Sequence, residues 1–328
     1  MNVERDVPLA PKTTLGLGGA AKQLVRITST ADLPAALALA PRVLVLGGGS
    51  NLVVGDDGFD GAVLEIALRG IAIDCDTVSV AAGVAWDDFV AQMVDAGRAG
   101  IECLSGIPGL VGATPMQNVG AYGQEVADTI VHVRAYDRER GEIVTIANGA
   151  CAFAYRSSMF RGSARWIVVE VVFRLPRATA STPIRYAELA RALGIREGER
   201  APLADVRRTV IELRRGKGMV VDAADPESRS AGSFFTNPIV APELAPAGAP
   251  SWPGPDGRVK LAAAWLIEHA GFAKGYTRGR VGISRKHALA LVNRGGASTR
   301  ELLELAREIQ DGVYARFGIA LQPEPVIV

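Results

Sequence analysis

The chain has 328 residues and a formal net charge of +1, from 36 basic and 35 acidic side chains. Charge so evenly balanced offers no patch for a nucleic acid or an anionic membrane surface, and no run of about 18 apolar residues is available to span a bilayer, so neither partner is expected. A chain this long exceeds what one simple core serves and should divide into two or three parts. Cys75, Cys103 and Cys151 lie far apart and form no C-x-x-C, the pattern of free thiols in a reducing compartment. The opening MNVERDVPLAPK carries charges where a secretion signal has its apolar stretch, so a cytoplasmic location is expected. His132, His269 and His287 include no pair at ligand spacing, and no metal site is expected.

From 1 to 67, the strand-like segments QLVRI, RVLVL and AVLEI alternate with the helical pattern ADLPAALALA, which predicts a small α/β lobe. RVLVL runs straight into Gly47, Gly48, Gly49, Ser50 and Asn51. Consecutive glycines expose main-chain N–H groups that, with a hydroxyl and an amide, can ring a pyrophosphate without any lysine; a plain glycine turn between two strands has the same letters. A Rossmann fingerprint would open a helix next, whereas NLVVGDDGFDGAVLEI reads as strand, turn and strand, so a phosphate loop here belongs to a different fold. GLGGAA at 16–21 satisfies G-x-G-x-x-A by letter, but PKTTL before it is no buried strand, so no dinucleotide site is expected there.

The segment 68–218 supplies the strand TVSVAAG, the amphipathic helix WDDFVAQMVDAG, paired strands VHVRAYD and EIVTI around the turn RERG, the strand WIVVEVVFRL, and the closing helix LADVRRTVIELRRGK. Between its first helix and the paired strands lies GIPGLVGATPMQNVGAYG at 106–123. Five glycines and two prolines exclude an ordinary helix or strand, and the anchors Ile107, Leu110, Val111, Met116 and Val119 distinguish the run from a flexible linker. It reads as an ordered loop that holds a ligand against backbone N–H groups. Beyond 218, AAAWLIEHAGF and the strand HALALVN precede the helix STRELLELAREIQDGVYARFG, whose Ser298 and Glu301 predict a capping box. The stretch 241–257, APELAPAGAPSWPGPDG, reads as a Pro/Ala/Gly surface connection.

Three further motifs each set one reactive polar residue in a special context: AYRSSMF at 154–160, AGSFFTNP at 231–238 and PEPV at 323–326. With GGGSN and NVGAYGQE they make nearly the whole chain resemble the UDP-N-acetylenolpyruvoylglucosamine reductase family, in the subgroup with a substrate-closing tyrosine loop. The resemblance implies an α+β architecture: a two-subdomain FAD-binding fold of the vanillyl-alcohol-oxidase type plus a C-terminal α/β substrate-binding domain. The expected domains are 1–67 joined by the tail 319–328, then 68–218, then 219–318. It further implies non-covalent FAD, NADPH as co-substrate, reduction of the enolpyruvyl group of UDP-N-acetylglucosamine enolpyruvate to UDP-N-acetylmuramate for peptidoglycan synthesis, and a monomer.

Hydride addition to the terminal enolpyruvyl carbon pushes charge onto the substrate carboxylate, which calls for a cation, a hydrogen-bond donor and an acid for the neighbouring carbon. By the resemblance these are Arg156, Glu324 and Ser233 respectively. The same resemblance assigns FAD to Gly47, Gly48, Gly49, Ser50, Asn51, Pro108, Gly112, Ala113, Thr114, Asn118, Gly120, Tyr122, Gly123 and Arg214, and the nucleotide-sugar to Tyr186, Lys217, Asn237 and His287. A surface ion pair for Arg156, a turn role for Ser233 and a dipole-driven cationic helix end for Arg214 and Lys217 are the competing readings. Pro325 stands where the family has a basic residue and a glycine, so the terminal strand is expected to be short. An FAD-linked oxidase of the same fold, or a nucleotide-sugar binding module without turnover, would keep the fold. Against the first, no histidine lies near 47–51 to tether flavin; against the second, all three reactive residues are present.

Overall fold

A computed structural model describes residues 1–328. They form two compact units, one of Met1–Arg5, Gln23–Gly48 and Asp60–Arg215, the other of Asp6–Lys22, Gly49–Phe59 and Gly216–Val328. The expected seam at 218 falls beside the second unit's start at Gly216, whereas 6–22 and 49–59 group with the C-terminal part rather than with the rest of 1–67.

The first unit holds the body of a four-stranded sheet ordered Val3–Pro8, Ala20–Ile27, Phe59–Ile66, Val43–Leu46. Val43–Leu46 and Phe59–Ile66 are parallel, in the register Val43↔Ala62 to Leu46↔Glu65, so the chain must cross over between them, and the first glycine loop lies in that crossover. ADLPAALALA forms only the short helix Leu33–Leu37. The second sheet is antiparallel, ordered Glu142–Ala147, Ile130–Asp137, Trp166–Arg174, Thr77–Ala81, Ile71–Asp74. Its central strand Trp166–Arg174 is buried almost throughout, as the unbroken run IVVEVVF requires. The helix Trp86–Asp95 covers it, with Trp86, Phe89 and Phe173 forming one aromatic cluster at centroid distances of 5.4 to 6.1 Å. A smaller cluster joins Leu189, Val206 and Val210, which packs the helix Leu203–Gly216 onto Ala187–Leu193.

In the second unit a four-stranded sheet is ordered Ser230–Ser233, Ala290–Asn293, Val281–Ile283, Thr277–Arg278. The helices Ala263–His269 and Thr299–Phe317 bury Leu266, Leu302, Leu305, Ile309 and Val313 in the same core. The capping box is present: Ser298 Oγ accepts the Glu301 N–H at 3.1 Å and Glu301 accepts the Ser298 N–H at 2.8 Å. The stretch 241–257 is not all connection, because Ser251–Pro253 pairs antiparallel with Val259–Leu261. Its three residues are exposed, so no buried alternation marks them as a strand in the sequence. GLGGAA enters the strand Ala20–Ile27 with no helix following, as expected for a chance match. Its Gly19 is needed for packing, since a Cβ there would stand 2.3 Å from the Asp56 carbonyl oxygen.

Candidate active site

The first unit fixes the glycine-rich loop 106–123 by its own backbone. Val111 and Gly112 donate N–H bonds to the carbonyls of Val84 and Ala82, and Trp86 N–H donates to Gly109. A Cβ on Gly112 would sit 2.4 Å from the Ala82 Cβ, and one on Gly48 would sit 2.7 Å from the Gly109 Cα. The ends of both glycine loops therefore meet backbone against backbone, a fit that only glycine permits. Asp87, in the first turn of the helix Trp86–Asp95, accepts the Gly106 N–H at 2.6 Å and a bidentate pair from Arg207 at 2.6 and 2.9 Å. Burial opposes ionisation of Asp87, but the Arg207 and Gly106 hydrogen bonds outweigh it and hold the carboxyl below its ordinary range. The fully buried Glu102 secures the same loop, accepting from Gly100 N–H, Gln124 Nε2 and Thr182 N–H at 2.6, 2.9 and 3.1 Å.

Gly120–Ala121 and Gln124–Glu125 form a hairpin with Tyr122 and Gly123 at its tip, at φ +50° and +84°. Two positive φ values in succession belong to a type I′ turn, and glycine takes the second without strain. Asn118, also at positive φ, is consumed internally: its amide donates to Glu125 and Ala154 and accepts from Ala127 N–H. Thr114 likewise turns its hydroxyl to the Val111 carbonyl. These side-chain bonds fix the shape of the loop. The Tyr122 ring meets Tyr186 edge-on at 5.4 Å, and Tyr186 is half exposed at the N-terminus of Ala187–Leu193. Burial pushes the Tyr122 hydroxyl up to about 12 and the Arg214 guanidinium down to about 10, so Arg214 stays charged at neutral pH. Arg214 is thus a buried cation and not the exposed end of a charged helix.

Arg156 sits in a tight turn in which Ala154 and Ser157 exchange backbone hydrogen bonds at 3.1 Å, and its φ is +51°. Its Nη2 donates to the Gly120 carbonyl at 3.1 Å, and Ser158 Oγ donates to Met116 at 2.7 Å, so the YRSS motif is hooked onto the glycine loop twice. The Arg156 carbonyl accepts from Arg161. A non-glycine residue at positive φ is uncommon, and this one is held by contacts on both sides.

In the second unit, Gly49 at φ +61° lies so close to Lys12 that a Cβ would fall 1.9 Å from its carbonyl oxygen. Asn51 reaches the terminal segment: its Nδ2 donates to the Glu324 carbonyl at 3.4 Å and its own carbonyl accepts the Val326 N–H at 3.0 Å. The strand Val326–Ile327, two residues long as expected, pairs parallel with Leu52–Val53. Phe235 bridges Pro323, and the Glu324 N–H donates to Phe234 at 2.9 Å. Glu324 is thereby buried beside the strand that carries Ser233. Register shifts between Ser230↔Val292 and Ser233↔Ala290, with Gly232 at φ +73° inside the irregularity, so a bulge re-aims Ser233. Its hydroxyl lies 3.4 Å from His287 Nε2. Asn237 accepts the first N–H of the helix Ala263–His269 through Oδ1 at 3.0 Å, and Lys217 follows the helix Leu203–Gly216.

The residues fit a flavin dinucleotide. Pyrophosphate needs close backbone approach and N–H donors, and the loop offers bare main chain: a Cβ on Gly48 or Gly49 would stand 2.7 Å from the Gly109 Cα or 1.9 Å from the Lys12 carbonyl oxygen. Asp87, Arg207, Glu102 and Gln124 were not singled out from the sequence. Only Gln124 had a signal, its place at the end of NVGAYGQE.

Residues 21–147 match the FAD binding domain family, and residues 225–328 match the family described as UDP-N-acetylenolpyruvoylglucosamine reductase, C-terminal domain. A UDP-N-acetylenolpyruvoylglucosamine reductase of Thermobifida fusca (strain YX) is 53% identical over 99% of this chain and 97% of its own length. One of Streptomyces coelicolor is also 53% identical, over 98% of this chain and 89% of its own. The crystal structure of the enzyme from Thermus caldophilus superposes with a TM-score of 0.73 at 28% identity, covering 100% of this chain and 99% of that one. Full-length similarity at this level means that the chain belongs to the UDP-N-acetylenolpyruvoylglucosamine reductase family.

Proposed function

We propose that the protein reduces the enolpyruvyl group of UDP-N-acetylglucosamine enolpyruvate to UDP-N-acetylmuramate in peptidoglycan precursor synthesis, and that Arg156, Ser233 and Glu324 act on the substrate. Bound FAD supplies the two-electron carrier between NADPH and the enolpyruvyl carbon. Gly47, Gly48, Gly49, Ser50 and Asn51, with Pro108, Gly112, Ala113, Thr114, Asn118, Gly120, Tyr122, Gly123 and Arg214, form the cofactor's side of the site. The Arg156 guanidinium grips the carboxylate on which charge develops, and Glu324 donates a hydrogen bond to that charge. Ser233 gives its proton to the carbon next to the carboxylate. A serine hydroxyl is a weak acid, yet protonating a carbanionic carbon is strongly downhill, so a positioned hydroxyl suffices. Tyr186, Lys217, Asn237 and His287 line the nucleotide-sugar's side of the site. The subdomains 1–67 with 319–328, and 68–218, carry the flavin, and 219–318 carries the substrate.

The observation that supports this reading best is the Glu324–Phe234 backbone pairing, which sets the acid of the terminal segment beside the Ser233 strand. A cytoplasmic location fits the three free thiols Cys75, Cys103 and Cys151. Anaerobic stopped-flow absorbance tests the reading. Ser233→Ala should leave flavin reduction by NADPH nearly intact and slow reoxidation by the enolpyruvyl substrate by about 10²–10⁴-fold. Equal loss in both phases would make Ser233 a support of the fold or the flavin instead. Reoxidation by oxygen but not by the enolpyruvyl substrate would favour an oxidase.

A further inference from the structure

Ser233 cannot act repeatedly unless its hydroxyl proton is replaced, and the structure sets one ionisable group at that hydroxyl, His287 Nε2 at 3.4 Å. Catalytic hydrogen bonds are often this long without substrate and tighten in the complex. The approach is built into the sheet. Ser233 pairs with Ala290, and a turn closed by the Ala290 N–H on the His287 carbonyl at 3.1 Å brings the ring back over the strand partner.

The loop that carries His287 is held from the segment leading into the Ser233 strand. Asp225 accepts from Lys286 Nζ at 2.7 Å, and Glu227 accepts the Arg285 N–H at 2.7 Å and Arg294 Nη1 at 3.4 Å. Glu227 is buried, which opposes its ionisation, but hydrogen bonds from the Ser284 hydroxyl and Arg285 N–H, with the charge of Arg294, hold its carboxyl below the ordinary range. Two carboxylates, five and three residues upstream of Ser230, therefore hold Lys286 by its side chain and Arg285 by its backbone, next to the half-buried His287.

We infer that His287 is the positioning and reprotonating partner of Ser233, a role that rests on the proposed function of Ser233 as the acid. As the Cα–H bond forms with the enolate's electron pair, the Ser233 O–H bond breaks and leaves its pair on Oγ. The protonated His287 ring gives its Nε2 proton to that oxygen, becomes neutral, and takes up the one proton the reaction consumes from bulk solvent. His287 acts through Ser233 and need not touch the substrate.

His287→Gln keeps a hydrogen-bonding group but cannot carry a proton, and His287→Ala removes both. Each should retain flavin content and the rate of flavin reduction by NADPH, which reports folding, and should slow reoxidation by the enolpyruvyl substrate by about 10²-fold. Ser233→Ala combined with His287→Gln should be no slower than Ser233→Ala alone, because groups acting as one unit are non-additive. Imidazole ¹⁵N resonances, resolvable with only three histidines, should show the His287 Nε2 signal moving in Ser233→Ala while His132 and His269 stay in place. A raised KM with unchanged kcat in the His287 variants, or an Nε2 signal indifferent to Ser233→Ala, overturns the inference. If Ser233→Ala is slow and the His287 variants are normal, only the partnership is wrong; if Ser233→Ala itself reoxidises normally, the proposed role of Ser233 falls with it.

Discussion

The backbone N–H of Glu324 donates to the carbonyl of Phe234 at 2.9 Å, one residue beyond Ser233, while the Glu324 carbonyl accepts from Asn51 at 3.4 Å. Glu324 is thus pinned between the strand of the serine and the end of the first glycine loop, both within the second unit. Pro323 and Pro325 stiffen the chain around it and remove donors that would otherwise need partners.

Arg156→Ala removes the cation, and Glu324→Gln keeps a donor while removing the acid, so the pair separates charge from proton. Each single change is expected to slow substrate reduction by about 10²–10³-fold while flavin content is retained. Groups that serve one transition state combine non-additively, so the double variant should be less impaired than the product of the two losses. Full turnover in Glu324→Gln would mean that the terminal acid does not serve the reaction.

Gly49→Ala should strip FAD from the protein and lower the melting temperature. The substitution strains a φ of +61° and drives a methyl to 1.9 Å from the Lys12 carbonyl, a backbone atom that cannot swing aside. Positive φ alone costs about 1–3 kcal/mol, and the clash adds to it. Gly149→Ala is the control, because nothing lies within 4 Å of its added Cβ. Equal flavin content in the two purified variants would show that Gly49 is not needed for the loop.

The Asp87–Arg207 pair should give a stability term with a defined pH window. Asp87 has its folded value depressed below the unfolded value near ~3.9, so its contribution is present above about pH 4 and is lost as pH falls through the folded value. Denaturant unfolding of the wild type and Asp87→Asn should therefore differ at pH 7 and at pH 5, with the difference shrinking only once pH falls below about 4 toward the depressed folded value. A difference that grows on acidification would contradict this sign.

FAD should leave the polypeptide on denaturation. Neither His132, His269 nor His287 lies near 47–51, and burial pushes the Cys103 thiol far up and the Cys151 thiol up to about 11, which keeps them protonated and unreactive. Acid precipitation should yield a colourless pellet and a yellow supernatant. Colour retained in the pellet would reveal a covalent link.

Much of the fold was legible because its elements carry local signals. IVVEVVF could only be a buried strand, Ser298 and Glu301 announced the last helix, and the strand-turn-strand after GGGSN excluded a Rossmann unit. Five short motifs in order sufficed to suggest the family. The short strand Ser251–Pro253 was missed because it is exposed and lacks alternation. The clamps were missed for a different reason. Asp87 and Arg207, or Glu102, Gln124 and Thr182, are ordinary polar residues until packing brings them together.

The sequence by itself determined which peptide positions had to be glycine, which segments had to bury a face, and which three residues had the chemistry to bind a carboxylate, donate a proton and stabilise charge. Those are local matters of side-chain type and backbone freedom. Only the tertiary structure decided that the terminal segment pairs with Leu52–Val53, that a bulge at Gly232 turns Ser233 toward His287, and that Asn118 spends its amide, and Asn237 its Oδ1, inside the protein. Strand register and hydrogen-bond partners are set by which surfaces bury together across long sequence separations, and no window of neighbouring residues contains that information.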